Sequence, residues 1–328
     1  MEHRRLGRTG RDVSVIGFGA WGIGGADWGE TSDDESLASL HAAADAGVTF
    51  IDTADVYGDG RSERVIGRFL RQRAGEPFFV ATKMVRRAPL DPALYTPDQL
   101  RAWLDRSREN LGVETIDLVQ LHCPPTQTYY MPEIFDALDA LVAARVIAAY
   151  GVSVEKVEEA LKAIEYPGVA AVQIIFNMFR QRPAELFLRE AARRDVGVIA
   201  RVPLVSGLLT GRMSAQTAFA ATDHRVYNRD GAAFDKGETF GGVPFEVGLA
   251  AVEELRPLVP GGITMAQWAL RWILQHEGIT TAIPGAKTPE QARANAAAAD
   301  APAIPAETMA AVREIYDTRI RPHVHHRW

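Results

Sequence analysis

The stretch FIDTADVYGDG, residues 50–60, sets two carboxylates, Asp52 and Asp55, and the phenol of Tyr57 where an apolar run stops. Three further runs end on groups that can complement them: FFVAT leads to Lys83, IDLVQL to His122 and VIAAYG to Ser153, while Gln173 lies inside AAVQII. A tyrosine hydroxyl, with a pKa of about 10, is a poor proton donor at neutral pH unless a nearby ammonium stabilises its phenolate. Lys83 can supply that charge, Asp52 can keep the lysine charged and oriented, and the imidazole of His122 can donate a hydrogen bond to a carbonyl oxygen as negative charge develops there. Such a set protonates an alkoxide. It contains no hydride source, so a carbonyl reductase built on it needs a nicotinamide cofactor. Taken singly, each residue has a plainer explanation: a solvated lysine, a core histidine, or a turn at Asp52 to Gly60.

These groups act together only if the fold brings them to one place. Eight short runs rich in Val, Ile and Phe (VSVIGF, VTFI, FFVAT, IDLVQL, VIAAYG, AAVQII, VGVIAR and ITTAI) alternate with segments of helical period. In LRAWLDRSRENL, for example, Leu100, Trp103, Leu104, Ser107 and Leu111 recur on one face. Eight βα units, with no linker or low-complexity run between halves, predict a (β/α)8 TIM barrel occupying residues 1–328 as one domain. In such barrels the site is built at the carboxyl ends of the strands, where Asp52, Lys83, His122, Ser153 and Gln173, from five different strands, are expected. Two segments break the rhythm: residues 206–244, after the seventh run, and the tail after Ile320.

Composition narrows the setting. The 328 residues are 47% hydrophobic, enough for a large core, and the single cysteine, Cys123, excludes an intramolecular disulfide and any Cys-based zinc spacing. A cytoplasmic location is the simplest expectation. No apolar run approaches the roughly 20 residues of a membrane helix, and a net charge of −6 with mixed signs argues against a general nucleic-acid or anionic-membrane surface. The sequence sets no oligomeric state, so a homo-oligomer remains open.

Over nearly its whole length the chain resembles the aldo-keto reductase superfamily. The resemblance rests on RRLGRTGRDVSVIGFGAWGIGG, FIDTADVYGDGRSERVIG, VATKM, DLVQLHCP, GVS, VQIIFN, VPLVSGLLTG and IPGAKTPEQARAN, in that order. It implies a barrel with an N-terminal β-hairpin cap and long loops on the carboxyl face, reducing an aldehyde or ketone with NADPH, NADH being weaker. Tyr57 would be the general acid, tuned by Asp52 and Lys83, with His122 orienting the carbonyl. By the same resemblance Ser153 and Gln173 hold the nicotinamide carboxamide. Gly19, Trp21, Arg201, Pro203, Leu204, Gly207 and Leu208 line the cofactor, and Gly285, Lys287, Thr288, Gln291 and Asn295 meet its adenosine phosphate end. Trp21 and Trp28 would wall the substrate side with Tyr57 and His122, and a sugar-derived carbonyl is one candidate substrate.

Several features depart from that pattern or compete with it. Val154 and Arg201 stand where many relatives carry an asparagine and a ring-stacking tyrosine; Arg201 either stacks on the nicotinamide or points at a phosphate or carboxylate. Gln291 stands where several relatives carry an arginine, leaving Lys287 as the main charge for a 2′-phosphate. GFGAWG, residues 17–22, matches a dinucleotide fingerprint but opens no helix. The tail HVHHRW has no carboxylate at ligand spacing, so no metal is expected; a packed or mobile tail is, or one folded over the pocket. Two other functions stay open beside the reductase: a cofactor-binding regulatory or interaction protein on the same barrel, and an aldolase forming a Schiff base at Lys83.

Overall fold

The computed structural model describes residues 1–25, 28, 29 and 31–328. Two short strands, β1 (His3–Arg5) and β2 (Asp12–Ser14), pair antiparallel as a hairpin. Eight more follow: β3 (Phe18–Gly19), β4 (Phe50–Asp52), β5 (Phe79–Met84), β6 (Ile116–His122), β7 (Ile147–Ser153), β8 (Val169–Ile175), β9 (Gly197–Arg201) and β10 (Thr281–Ala282). They form one parallel sheet in chain order. Parallel bridges from Ile16 to Ala282 and from Gly19 to Gly285 join the last strand to the first, closing a (β/α)8 barrel. The run VSVIGF is therefore divided: Val13 and Ser14 complete the hairpin, while Ile16, by its bridge to Ala282, and Phe18, in β3, belong to the barrel. Helices cover the strands on the outside, so parallel strands such as β8 are buried on both faces and read as apolar runs instead of alternating.

The helices start where side chains satisfy their free backbone N–H groups. Ser32 and Glu35 form a reciprocal capping box before Asp33–Asp45, and Thr264 with Gln267 does the same before Met265–Leu274. Helix Pro97–Leu111 buries Leu100, Trp103, Leu104, Ser107 and Leu111, the face expected from its period, and stops at Gly112, whose φ of 71° suits glycine. Among the described residues no helix is long and apolar enough to cross a membrane.

The hairpin plugs the amino end of the barrel. Leu6 and Val13, both fully buried, join Phe50, Phe79, Leu118 and Ile199 in a cluster separate from the main core. The fit is close: a Cβ on Gly197 would stand 2.6 Å from a Leu6 methyl. The tail is packed as well, with Trp328 buried, its indole donating to Asp235 Oδ1 at 2.9 Å and its main-chain oxygen accepting from Arg182 at 2.6 Å. Asp235 belongs to the long segment after β9, so the tail pins that segment and places Trp328 behind the loop.

Truncating the plug should destabilise without touching the opposite rim. Leu6→Ala is expected to cost about 2–5 kcal/mol, read as a lower denaturant midpoint, while activity per folded molecule stays within twofold of the parent.

Candidate active site

The register of the sheet levels the polar groups at one rim. Lys83 pairs with Gln120, His122 with Ser153, and Ser153 with Gln173 across neighbouring strands. Asp52, at the end of β4, lies at their centre. Its Oδ2 accepts from Lys83 Nζ at 2.6 Å, and its Oδ1 accepts from Gln173 Nε2 at 2.7 Å and Gln120 Nε2 at 3.3 Å. Lys83 also donates to the Thr53 carbonyl at 2.8 Å and to the Tyr57 hydroxyl at 3.4 Å. Gln120 was not anticipated; as one polar residue in a buried apolar strand, it was the available signal.

Burial works against the charge of Lys83, but Asp52 and Tyr57 more than offset it and hold the ammonium above its usual range. For Tyr57 the balance differs from expectation. Burial pushes its hydroxyl up and Lys83 pulls it down, with the net direction upward, so the phenol stays protonated at neutral pH. His122 is held well below the usual histidine range, by burial first and then by the charges of Arg86 and Lys83. It is a neutral imidazole, edge-on to the Tyr57 ring at 5.9 Å, and its Nδ1 is buried without a partner.

Above this group lies an aromatic wall. Trp21 stacks on Tyr57 at 6.0 Å and meets Trp28 edge-on at 5.5 Å. His224 and Phe234, both from the long segment, close against Trp21 at 4.8 and 5.8 Å. Sequence reasoning placed Trp21 and Trp28 near the site but missed His224, which carries no local signal. Tyr129 and Tyr130 lie away from it: Tyr129 is in the core, and Tyr130 is 66% exposed beneath Lys162. The glycine-rich stretch after β3 turns through a short 3-10 segment, Gly22–Gly24, and opens no phosphate-binding helix.

Residues assigned to the cofactor fall into two groups. Ser153 is buried at the rim, where among the described residues the Cys123 sulfur, at 3.6 Å, is the one hydrogen-bond partner of its hydroxyl. Gln173 has its amide nitrogen committed to Asp52 and so offers its oxygen. Farther out, Lys287 Nζ donates to the carbonyls of Trp28 and Gly29, and no carboxylate stands within ion-pair distance among the described residues. Thr288 caps helix Pro289–Ala296, Gln291 accepts from the Lys287 amide at 2.9 Å, and Asn295 donates to Gly285 at 3.1 Å. Burial lowers the Lys287 ammonium, opposed by the charge of Asp223 and helped by that of Arg225, both on the long segment.

The Arg201 guanidinium donates to Glu155 Oε2 at 2.8 Å and to the Val154 carbonyl at 3.1 Å, so it meets a carboxylate, one of the partners the sequence left open for it. Leu208, assigned to the cofactor with Pro203, Leu204 and Gly207, is fully buried and packs on Gly248 in the core.

Asp55 is a costly neighbour. It is 2% exposed, its Oδ1 has no partner, and burial, reinforced by Glu63, pushes its carboxyl up to about 7. Because the folded value lies above the unfolded one, the unfolded chain loses this proton first. Stability should fall as pH rises from about 4 to about 7, by up to about 4 kcal/mol from this group, and stay lower above that. Asp55→Asn should flatten the fall, measured by denaturant titration at pH values of about 5 and 8.

Comparison with known proteins agrees with this geometry. Residues 15–317 match the Aldo/keto reductase family. The chain is 30% identical over 299 residues to the aldo-keto reductase YhdN of Bacillus subtilis, covering 90% of this chain and 87% of that protein. It is 28% identical over 312 residues to the NADH-specific methylglyoxal reductase of Escherichia coli, covering 89% and 92%. The glycerol dehydrogenase AKR11B4 of Gluconobacter oxydans superposes with a TM-score of 0.78 at 31% identity, over 98% of this chain and 96% of that one. The chain belongs to the aldo/keto reductase family and is an oxidoreductase that acts on carbonyl compounds with NAD(P)H.

Proposed function

We propose that one barrel unit, residues 1–328, reduces an aldehyde or ketone to the alcohol with NADPH in preference to NADH, and that Tyr57 gives the proton. The observation that carries this reading is the Lys83 ammonium, 2.6 Å from Asp52 Oδ2 and 3.4 Å from the Tyr57 hydroxyl. NADPH supplies the hydride when bound. Tyr57, protonated at neutral pH, gives its proton to the forming alkoxide, and Lys83 stabilises the phenolate left behind. His122, kept neutral, has one N–H with which to hold the carbonyl oxygen. The same ion pair weighs against an aldolase: a buried ammonium held charged by Asp52 has no lone pair for a Schiff base. Nothing in the site favours a purely regulatory role over catalysis, since every group the proton transfer needs is in reach.

The donor set fits the cofactor. Ser153 and the oxygen of Gln173 offer a hydroxyl and an acceptor to a carboxamide. Lys287, satisfied only by carbonyls, can pass its ammonium to a 2′-phosphate, with Thr288 beside it. A charge-assisted hydrogen bond is worth roughly 1.5–3 kcal/mol, or about 10- to 150-fold, and loss of the Trp28 and Gly29 contacts offsets part of it.

Tyr57→Phe should lower carbonyl reduction by about 100-fold or more while NADPH affinity, from fluorescence titration, changes little; turnover within threefold of the parent would sink the role. Lys287→Ala should weaken NADPH by about tenfold and NADH hardly at all; equal losses would remove Lys287 from phosphate recognition.

A further inference from the structure

Beside the proton-transfer group lies a second buried cluster that the reaction above does not use. Arg86 follows β5, Arg201 ends β9, Glu155 follows β7, and Glu238 comes from the long segment after β9. Arg86 Nη2 is 2.7 Å from Glu238 Oε1 and 3.8 Å from Glu155 Oε1. Arg201 is 2.8 Å from Glu155 Oε2 and 3.9 Å from Glu238 Oε1. The cluster adjoins the reacting groups: the thiol of Cys123, next to His122, is 3.6 Å from Arg201, and Arg86 packs over the ring of Phe234.

The two carboxylates are badly placed for each other. Oxygens of Glu155 and Glu238 lie within 4.8 Å of one another and of the Cys123 sulfur, and with two guanidiniums already among them a metal ion has no room electrostatically. Two buried like charges at that distance cannot both ionise freely. Burial, opposed by Arg201 and reinforced by Glu238, pushes Glu155 up to about 8. At neutral pH the cluster thus approximates two guanidiniums against one carboxylate. A third arginine, Arg180, adds to the excess. It is 5% exposed, has only the Gly241 carbonyl and the Trp328 ring as partners, and meets no carboxylate within ion-pair distance among the described residues.

The backbone aims these arginines inward at a cost. Val85, before Arg86, has φ 90°, and Val202, after Arg201, has φ 52°. A β-branched residue in the left-handed region is strained and persists where the surroundings over-determine it, most often at functional sites and ligand clamps. Arg201 Nε, buried, also makes no hydrogen bond. A structural clamp alone does not call for strain, opposed carboxylates and unspent donors in one place.

We infer that Arg86 and Arg201 form a subsite for a carboxylate carried by the carbonyl substrate, and that Glu238 of the long segment holds this place until the substrate displaces it. The inference rests on the reductase reading and narrows its substrate to aldehyde or keto acids. The Glu238 backbone is held separately from its carboxylate, by Ser206 and the Asp235 turn, so the displacement is assigned to the side chain alone.

The test compares succinic semialdehyde and a formylbenzoate with their methyl esters. Both turnover with NADPH and binding, from tryptophan fluorescence, are measured. The parent should favour the acids over the esters by about tenfold. Glu238→Gln should raise that ratio several-fold, Arg86→Met should reduce it toward one, and Arg86→Lys, a control for loop integrity, should keep most of it. Raising the pH from about 7 to about 9 should lower the ratio in the parent, because ionised Glu155 then competes for Arg201. The groups facing Glu155 are Arg86, Arg180, Arg201, Glu238, Asp235 and the Cys123 thiol, which burial keeps protonated. An acid-to-ester ratio near one that neither Glu238→Gln nor Arg86→Met moves would overturn the subsite and leave the reductase intact if the esters are turned over. If no compound is turned over, the reductase reading falls, and the binding ratio alone decides the subsite: acid preference raised by Glu238→Gln upholds it, and equal binding of acid and ester rejects it.

Discussion

The buried contact between Lys83 and Asp52 is the constraint around which the carboxyl rim is organised. Two charges removed from water lose several kcal/mol of hydration each, and their attraction repays it only when the remaining lone pairs and protons are also satisfied. Here they are: Lys83 reaches a second acceptor at Thr53, and both Asp52 oxygens are used, by Lys83, Gln120 and Gln173. The polar residues come from four strands, β4, β5, β6 and β8, whose relative heights are fixed by backbone pairing. A slip of one residue in any of them would turn its polar side chain to the other face. The barrel's register and the satisfaction of this ion pair therefore enforce each other. Tyr57 is the beneficiary, held within reach of an ammonium that cannot leave.

The two ends of the barrel solve opposite problems. At the amino end an apolar plug of Leu6 and Val13 keeps the interior dry. At the carboxyl end four strands, β4, β6, β7 and β9, stop on Asp52, His122, Ser153 and Arg201, and the chain turns away sharply. Cys123, like Val85 and Val202, takes a positive φ beside a site residue, here His122. The strain is set against the barrel's core, which is large enough to carry it. The long segment after β9 then covers the rim with His224, Phe234 and Glu238, fastened from behind by Trp328.

Electrostatics at the rim divide into two regions with different characters. Around Asp52 the charges are balanced and every partner is in place, which suits groups that must keep their protonation state and position. Around Glu155 and Glu238 they are not balanced, since cations exceed ionised carboxylates and donors stay unused. His122 lies between the two, and burial first, then the charges of Arg86 and Lys83, keep its imidazole neutral in spite of Glu238.

Much of this was legible from residue order alone. Apolar runs of β length alternating with helical periods specify eight βα units, and because residues at strand ends gather at one rim whatever the loops do, Asp52, Tyr57, Lys83, His122, Ser153 and Gln173 could be named from spacing. The helix face of Leu100 to Leu111 followed from its period for the same reason: it depends on neighbours a few positions away. What the sequence did not contain is whatever depends on contact between distant segments. VSVIGF looks like one strand, and only closure against β10 decides that its first half belongs to the hairpin. The pairing of Arg201 with Glu155 depends on two separate strand ends meeting at the rim, and the place of His224 and the meeting of Arg86 with Glu238, 152 positions apart in the chain, follow from how an irregular segment settles there. No periodicity encodes that path. The protonation of Tyr57 likewise came out opposite to the pull of its nearest charge, because burial outweighed Lys83, and burial is a property of the folded whole.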